Sequence, residues 1–412
     1  MGDLIVSVDI GTSKVSCIIG RVNKNNQLDI IGRGMSPSSG LKKGVIVDID
    51  STAASIKNAV AEAESIANMK VGSAYVNIHG MHVNVINNRS WMGISNGDRE
   101  ISLRDVDNIL REVRDIEFPE DRQLIDVIPR QYIVDGYDEI IDPVGMVGTR
   151  LEVDADIIVG KITSVQNIVK SVERAGIQID GIVAEAFATG EICLSADERD
   201  IGVILLNVGG GVTDISVYQG KRLVFYDSIP VGGDHITSDI AIGLHIAGTE
   251  AEKIKRQYEL ALTSLIKNDQ EISVFDINEN KKKSVRVSEV VEIIEARVFE
   301  IFSLCRHQLE KADSLLKPGA GVVLTGAGIS YVDGCKQLAQ EVFDVPVRVV
   351  QAGQQQGVSK PEFVTAAGMI RYIANIRKGG SLASEVKLKK PVNPQQRESV
   401  FDRLVRFFKE IF

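Results

Sequence analysis

Residues 4–20 read LIVSVDIGTSKVSCIIG, and residues 202–218 read GVILLNVGGGVTDISVY. Each is an apolar strand, a tight glycine turn carrying hydroxyl and acidic groups, and an apolar return strand, which is the pattern of a β-hairpin. A third segment, GVVLTGAGISYVDGCKQLAQEVF at 321–343, runs from strand through small-residue turn into helix. Helical periodicity in STAASIKNAVAEAESIANM, LRDVDNILREVRDI and SVQNIVKSVERAG alternates with the strand-like SAYVNIHGMHVNVI. That alternation predicts an α/β fold. At 412 residues the chain exceeds what one core serves, so two domains or a large two-lobed fold are expected. After the second glycine segment, TEAEKIKRQYELALTSLI predicts a charged helical region and SEVVEIIEARVFEIFSLCRHQLEKADSLL a long helix, with a polar stretch between them.

The turns carry chemistry as well as shape. Asp9-Ile10-Gly11-Thr12-Ser13-Lys14 brings backbone N–H groups, two hydroxyls and an ammonium toward one point, and glycine lets the backbone approach an anion closely. Gly209, Gly210 and Gly211, followed by Thr213 and Asp214, offer similar chemistry from the other half of the chain. Two such turns facing each other would clamp a triphosphate; a plain hairpin is the alternative for either alone. There is no GxxxxGK[ST] loop, and no GxGxxG opens a helix after the first strand.

Composition narrows the function classes. A formal net charge of −9 leaves no basic field for general nucleic-acid binding. Cys17, Cys193, Cys305 and Cys335 lie far apart without a CxxC pair, and the five histidines form no HExxH, so a zinc site is not expected and a reduced, cytoplasmic setting is. The chain lacks an eighteen-residue apolar run and enters a strand-like pattern at once, so neither a membrane span nor export is expected.

The order DIGTSK, NVGGGVTD, TGAG resembles the superfamily of actin, sugar kinases and heat-shock chaperones, two-lobed proteins that bind ATP. With SAYVNIHGMHVNV, IPRQYIVDG and above all DPVGMVGTRLEVDADIIVG, the chain resembles the FtsA family of bacterial cell-division proteins from residue 3 to 378. The resemblance implies an actin-like ATPase fold with lobe 1 at 1–79 and 163–203, an inserted subdomain at 80–162, lobe 2 at 204–243 and 308–378, its upper subdomain at 244–307, a linker at 379–398 and an amphipathic helix at 399–412. It further implies that Gly11, Thr12, Ser13, Lys14, Gly209, Gly210, Gly211 and Thr213 hold phosphates, that Gly326, Ala327 and Gly328 close on the adenosine, and that Glu252 and Lys255 contact it. Asp9 and Asp214 would orient Mg2+ through water, and Glu185 matches a glutamate that orients the attacking water in some relatives. Asn207 stands where relatives usually carry Asp, and Val212 where Thr is common. An amide is a poorer partner for a hydrated magnesium ion, so hydrolysis is expected to suffer more than nucleotide binding.

The resemblance implies a filament-forming protein that self-associates, recruits other division proteins and anchors the FtsZ ring to the cytoplasmic face of the membrane at the septum. The FtsZ C-terminal peptide is expected on residues 244–307, where Arg286, Arg297 and Arg306 offer positive charge. A small-molecule kinase and a pilus-assembly scaffold of the same fold are the competing readings. The chain's end, SVFDRLVRFFKEIF, discriminates. On a wheel of 100° per residue, Val400, Phe401, Leu404, Val405, Phe407, Phe408, Ile411 and Phe412 fall within an arc of about 160°, opposite Asp402, Arg403, Arg406, Lys409 and Glu410. That segment is too short to span a bilayer and is expected to lie in the surface of anionic lipid at the end of its Gly/Pro-containing linker, as a reversible anchor whose avidity comes from filament formation.

Overall fold

The structure is a computed structural model that describes residues 3–312, 318–350, 358 and 360–378. The expected linker, the amphipathic helix and its apolar residues from Val400 to Phe412 lie outside the described residues.

Two five-stranded sheets of the same topology form the frame. The first runs in the order Gln178–Ala184, Ser73–Ile78, Ile5–Ile10, Lys14–Val22, Leu28–Pro37, and the second in the order Val347–Val349, Val322–Thr325, Val203–Val208, Thr213–Gln219, Arg222–Ile229. In each, an antiparallel meander is extended by two parallel strands from its first member. Every residue of Val203–Val208 is buried, as a strand covered on both faces requires. The two quoted hairpins are the equivalent first turns of these sheets. Even the closing bond repeats: Gly11 N donates to Lys14 O at 3.0 Å, and Gly209 N to Val212 O at 2.9 Å.

Helix Ile49–Ala67 covers the first sheet with Ala53, Ile56, Ala59, Val60 and Ala63, and Asp48 caps it by accepting from the N–H groups of Asp50 and Ser51. Two further helices cross in contact. Glu185–Cys193 begins where the first sheet's strand Gln178–Ala184 ends and runs to the second sheet, where the Tyr218 hydroxyl donates to Ala186 O at 2.7 Å. Val364–Lys378 returns from the second lobe to the first, where Ser7 Oγ donates to Ala366 O at 2.7 Å. The end of segment 308–378 thus packs against strands of lobe 1. The shared core of Leu205, Val323, Ala188, Met369 and Ile370 joins the lobes there.

Residues inserted after the strand Ser73–Ile78 build a separate sheet, Val83–Gly93, Arg150–Lys161, Arg122–Val134, Tyr137–Ile140, with helix Leu103–Glu112 against it and its own core around Ile101, Ile109, Leu151 and Ile157. Pro129 interrupts the strand Arg122–Val134 at an irregularity in its pairing with Arg150–Lys161, where its missing N–H is tolerated. The upper part of lobe 2 holds helix Gly248–Tyr258, the hairpin Glu271–Asp276 with Lys281–Arg286, and helix Val287–Lys311. The helical region expected across TEAEKIKRQYELALTSLI stops at Tyr258. Glu259 turns to φ 48°, and its carbonyl and the N–H of Ala261 bond Asp333 at 2.7 Å each, so pairing with a distant loop overrides local periodicity. All four cysteines are buried and unbridged.

Candidate functional site

The two glycine turns face each other across a cavity of about 410 Å3. Its walls include Asp9, Gly11, Thr12, Ser13 and Lys14 from the first lobe, Asn207, Gly209, Gly210, Gly211 and Asp214 from the second, and Gly326, Ala327 and Gly328 from the third turn, together with Glu185, Glu252, Lys255 and Val212. The turns touch closely because they lack side chains. A Cβ on Gly210 would lie 1.7 Å from Ser13 Oγ and 3.0 Å from Asp234 Oδ2, and one on Gly326, where φ is 101°, would lie 2.3 Å from Val208 O. Thr213 is not brought to the cleft. It is buried, and its hydroxyl donates to Val231 O at 2.8 Å. A larger groove of about 1430 Å3, lined by Ser195, Leu265, Lys336 and Arg348 among others, holds none of the expected site residues.

A buried polar cluster forms the floor. Glu185 opens its helix and receives four donors: Asn207 Nδ2 at 2.5 Å and Thr365 Oγ1 at 3.1 Å on one oxygen, His79 Nδ1 at 2.8 Å and Asn77 Nδ2 at 3.2 Å on the other. Asp214 accepts from Ser228 Oγ at 2.6 Å, Gly80 N at 2.9 Å and Tyr226 OH at 3.2 Å, and faces His79 Nδ1 at 3.0 Å. Burial alone would make the His79 imidazole harder to protonate, but Glu185 and Asp214 outweigh it and hold its pKa well above the ordinary range. Burial raises Asp214 and the imidazolium more than reverses this, leaving its carboxyl below the ordinary value. Asp9, half-buried, is pushed well above the usual carboxylate range by loss of solvent and by the charges of Glu185 and Asp214. The group His79, Glu185 and Asp214 presents three potential metal-ligand atoms within 4.8 Å of one another.

Asn207 therefore turns its amide N–H to Glu185. Lys255, 2% exposed, spends its ammonium on Gly233 O at 3.0 Å, Thr237 Oγ1 at 2.7 Å and Glu252 Oε2 at 2.6 Å, which fixes the start of helix Gly233–Leu244.

A model of the "Cell division protein FtsA" family matches residues 204–368, and one described as "SHS2 domain inserted in FTSA" matches residues 80–159. The "Cell division protein FtsA" of Bacillus subtilis is 40% identical over 370 residues, covering 90% of this chain and 83% of that relative. The chain belongs to the FtsA family.

The actin-like fold of the family has distant solved neighbours. A PilM–PilN type IV pilus biogenesis complex aligns with a TM-score of 0.59 at 18% identity, covering 90% of this chain and 98% of that one. MreB5 of Spiroplasma citri bound to ADP aligns with 0.56 at 14%, covering 92% and 98%.

On this FtsA-family frame the three arginines expected to meet a partner differ. Arg297 is forked onto Asp239, with Nη2 to Oδ1 at 3.0 Å, and also pairs with Glu300; Arg306 reaches Glu310 at 2.8 Å and Val342 O at 2.5 Å. Arg286 is exposed at the start of helix Val287–Lys311, with its backbone N–H on Glu289 Oε1 at 3.0 Å.

Sequence reasoning missed His79, Asp234, Arg256, Tyr331, Glu362 and Thr365, all of which line the cavity. Arg256 stacks on the Tyr331 ring at 3.8 Å. A signal existed for His79: it follows the parallel strand Ser73–Ile78, and the carboxyl ends of parallel strands are where ligand groups gather.

Proposed function

We propose that this cell-division protein binds ATP between its lobes, assembles into actin-like filaments, and ties the FtsZ ring to the membrane at the septum. The observation that carries the nucleotide reading is the pair of equivalent glycine turns facing each other across one cavity, so close that a Cβ at Gly210 would lie 1.7 Å from Ser13 Oγ. Gly11, Thr12, Ser13 and Lys14 would hold phosphates from one side and Gly209, Gly210 and Gly211 from the other, with Gly326, Ala327 and Gly328 on the adenosine. Arg256 and Tyr331 add a flat surface of the kind a base stacks on. The ADP of MreB5, a distant neighbour of this fold, is consistent with that reading.

Asp9 and Asp214 would hold a hydrated Mg2+ ion, which would neutralise charge on the phosphates. Glu185 is the candidate to orient water. Its oxygens are engaged by Asn77, His79, Asn207 and Thr365, so slow turnover is expected until one of these donors moves.

Among the described residues no helix is long and apolar enough to cross a membrane. Attachment is assigned to residues 400–412 and to anionic lipid. The FtsZ C-terminal peptide is assigned to 244–307, where Phe275, Ile277 and Phe299 are exposed and Arg286 offers positive charge, which suits an apolar and acidic segment. Electron microscopy of the protein on lipid vesicles, with and without ATP and Mg2+, tests the whole reading: filaments on the vesicle surface are expected, and their absence under all conditions refutes assembly. A sugar-panel phosphorylation assay tests the kinase alternative, for which rapid turnover would be decisive.

A further inference from the structure

Two of the three polar side chains at the tip of the first phosphate turn, Ser13 and Lys14, already hold a carboxylate. Ser13 Oγ donates to Asp234 Oδ2 at 2.5 Å, and Lys14 Nζ pairs with Glu362 Oε1 at 3.0 Å. Asp234 lies in the first turn of helix Gly233–Leu244, and Glu362 lies in the short turn Pro361–Phe363 that leads into helix Val364–Lys378. Neither belongs to the glycine turns. The Glu362 side chain is 15% exposed and that of Lys14 33%, so the pair lies in the wall of the cavity rather than loose in solvent.

A carboxylate oxygen accepting from an ammonium or a hydroxyl makes the contacts a phosphate oxygen would make. We propose that Glu362, assisted by Asp234, is an internal occupant of the phosphate clamp that an incoming nucleotide must displace. The inference rests on the nucleotide reading above. A phosphate arriving at Lys14 would bring a second anion close to Glu362, and their repulsion favours release of the Glu362 carboxylate. Glu362 stands two residues ahead of helix Val364–Lys378, whose C-terminal end leads into residues 379–412.

The test compares the full-length parent with Glu362→Gln and Glu362→Ala, titrating each with ATP, ADP and adenosine by calorimetry. Loss of the competing charge is expected to tighten ATP and ADP by about tenfold and to leave the gain confined to ligands that carry phosphate. Hydrogen exchange at Phe363 and Val364 is expected to quicken when ATP is added to the parent, and to be quick already in nucleotide-free Glu362→Gln. ATP affinity that is unchanged or weaker in both variants, or an equal gain for adenosine, overturns the proposal. A parent that binds neither ATP nor ADP overturns the nucleotide reading instead, which keeps the two failures apart.

Discussion

Asn207 Nδ2 lies 2.5 Å from Glu185 Oε1, so an amide on the second lobe's central strand is bonded to the carboxylate that opens a first-lobe helix. The residue expected to be a poorer metal partner than a carboxylate also fastens the lobes together across the cleft.

Replacing that amide by a carboxylate exchanges one role for the other. Asn207→Asp sets two buried carboxylates against each other and is expected to cost roughly 1–3 kcal/mol in metal-free buffer. Mg2+ with ATP should recover more of this loss than it adds to the parent, and turnover should rise. Thermal melts in EDTA and in Mg2+ with ATP check it; equal melting temperatures in EDTA would show that the bond does not hold the lobes.

Gly210 tests the contact between the turns. Its Cβ would meet Ser13 Cβ at 2.8 Å as well as Oγ, so rotation of the hydroxyl alone cannot make room. Gly210→Ala is expected to weaken ATP about tenfold, and Gly210→Asp, which adds charge, about a hundredfold or more. Gly248→Ala, where nothing lies within 4 Å, is the control and should bind as the parent does in the same calorimetric titration.

Asp126 gives the inserted subdomain a pH dependence. Burial raises its carboxyl from the ordinary 3.8 to about 6, and the N–H of Val127 and the charge of Arg114 only partly oppose this. Because the folded state holds this proton more tightly than the unfolded chain, the group favours folding below about pH 4, and that contribution is lost as pH rises through 6. Asp126→Asn should therefore raise the melting temperature by a few degrees at pH 7.5 and by nothing at pH 4. A constant difference across that range would rule the titration out.

The partner arginines separate by what they already hold. Arg286→Glu should weaken a fluorescent FtsZ C-terminal peptide about three- to tenfold without changing the melting temperature, as expected for an exposed interface charge. Arg297→Glu breaks the fork on Asp239, so a lower melting temperature should accompany any loss of binding. Anisotropy titrations and melts read both; peptide affinity insensitive to Arg286→Glu would remove that residue from the groove.

Attachment is tested by sedimentation with anionic vesicles. The full chain should pellet, while a chain ending at Gln396 and Phe408→Glu should stay in solution. A truncated chain that pellets like the parent would place the anchor elsewhere.

The glycine turns and the lobes they belong to were readable because their chemistry is local: strand, turn and return strand lie within seventeen residues at 4–20 and again at 202–218. Thr213 looked like a phosphate ligand by the same local logic, yet strand alternation turns it inward onto Val231. Asp234 and Glu362 were invisible because they meet Ser13 and Lys14 across 221 and 348 residues. Nothing in the sequence pattern of helix Val364–Lys378 says which lobe its apolar residues belong to.

The bond from Ser7 to the carbonyl of Ala366 joins residues 359 positions apart. Translation at about 5–20 residues per second separates the emergence of those two groups by roughly 20–70 seconds. During that interval one face of the opening strands of the first sheet lacks the helix that covers it, and that face can close only after residues 364–378 have been made. Because residues 379–412 follow that helix directly, they are made just as the cover for one face of the first-made strands becomes available.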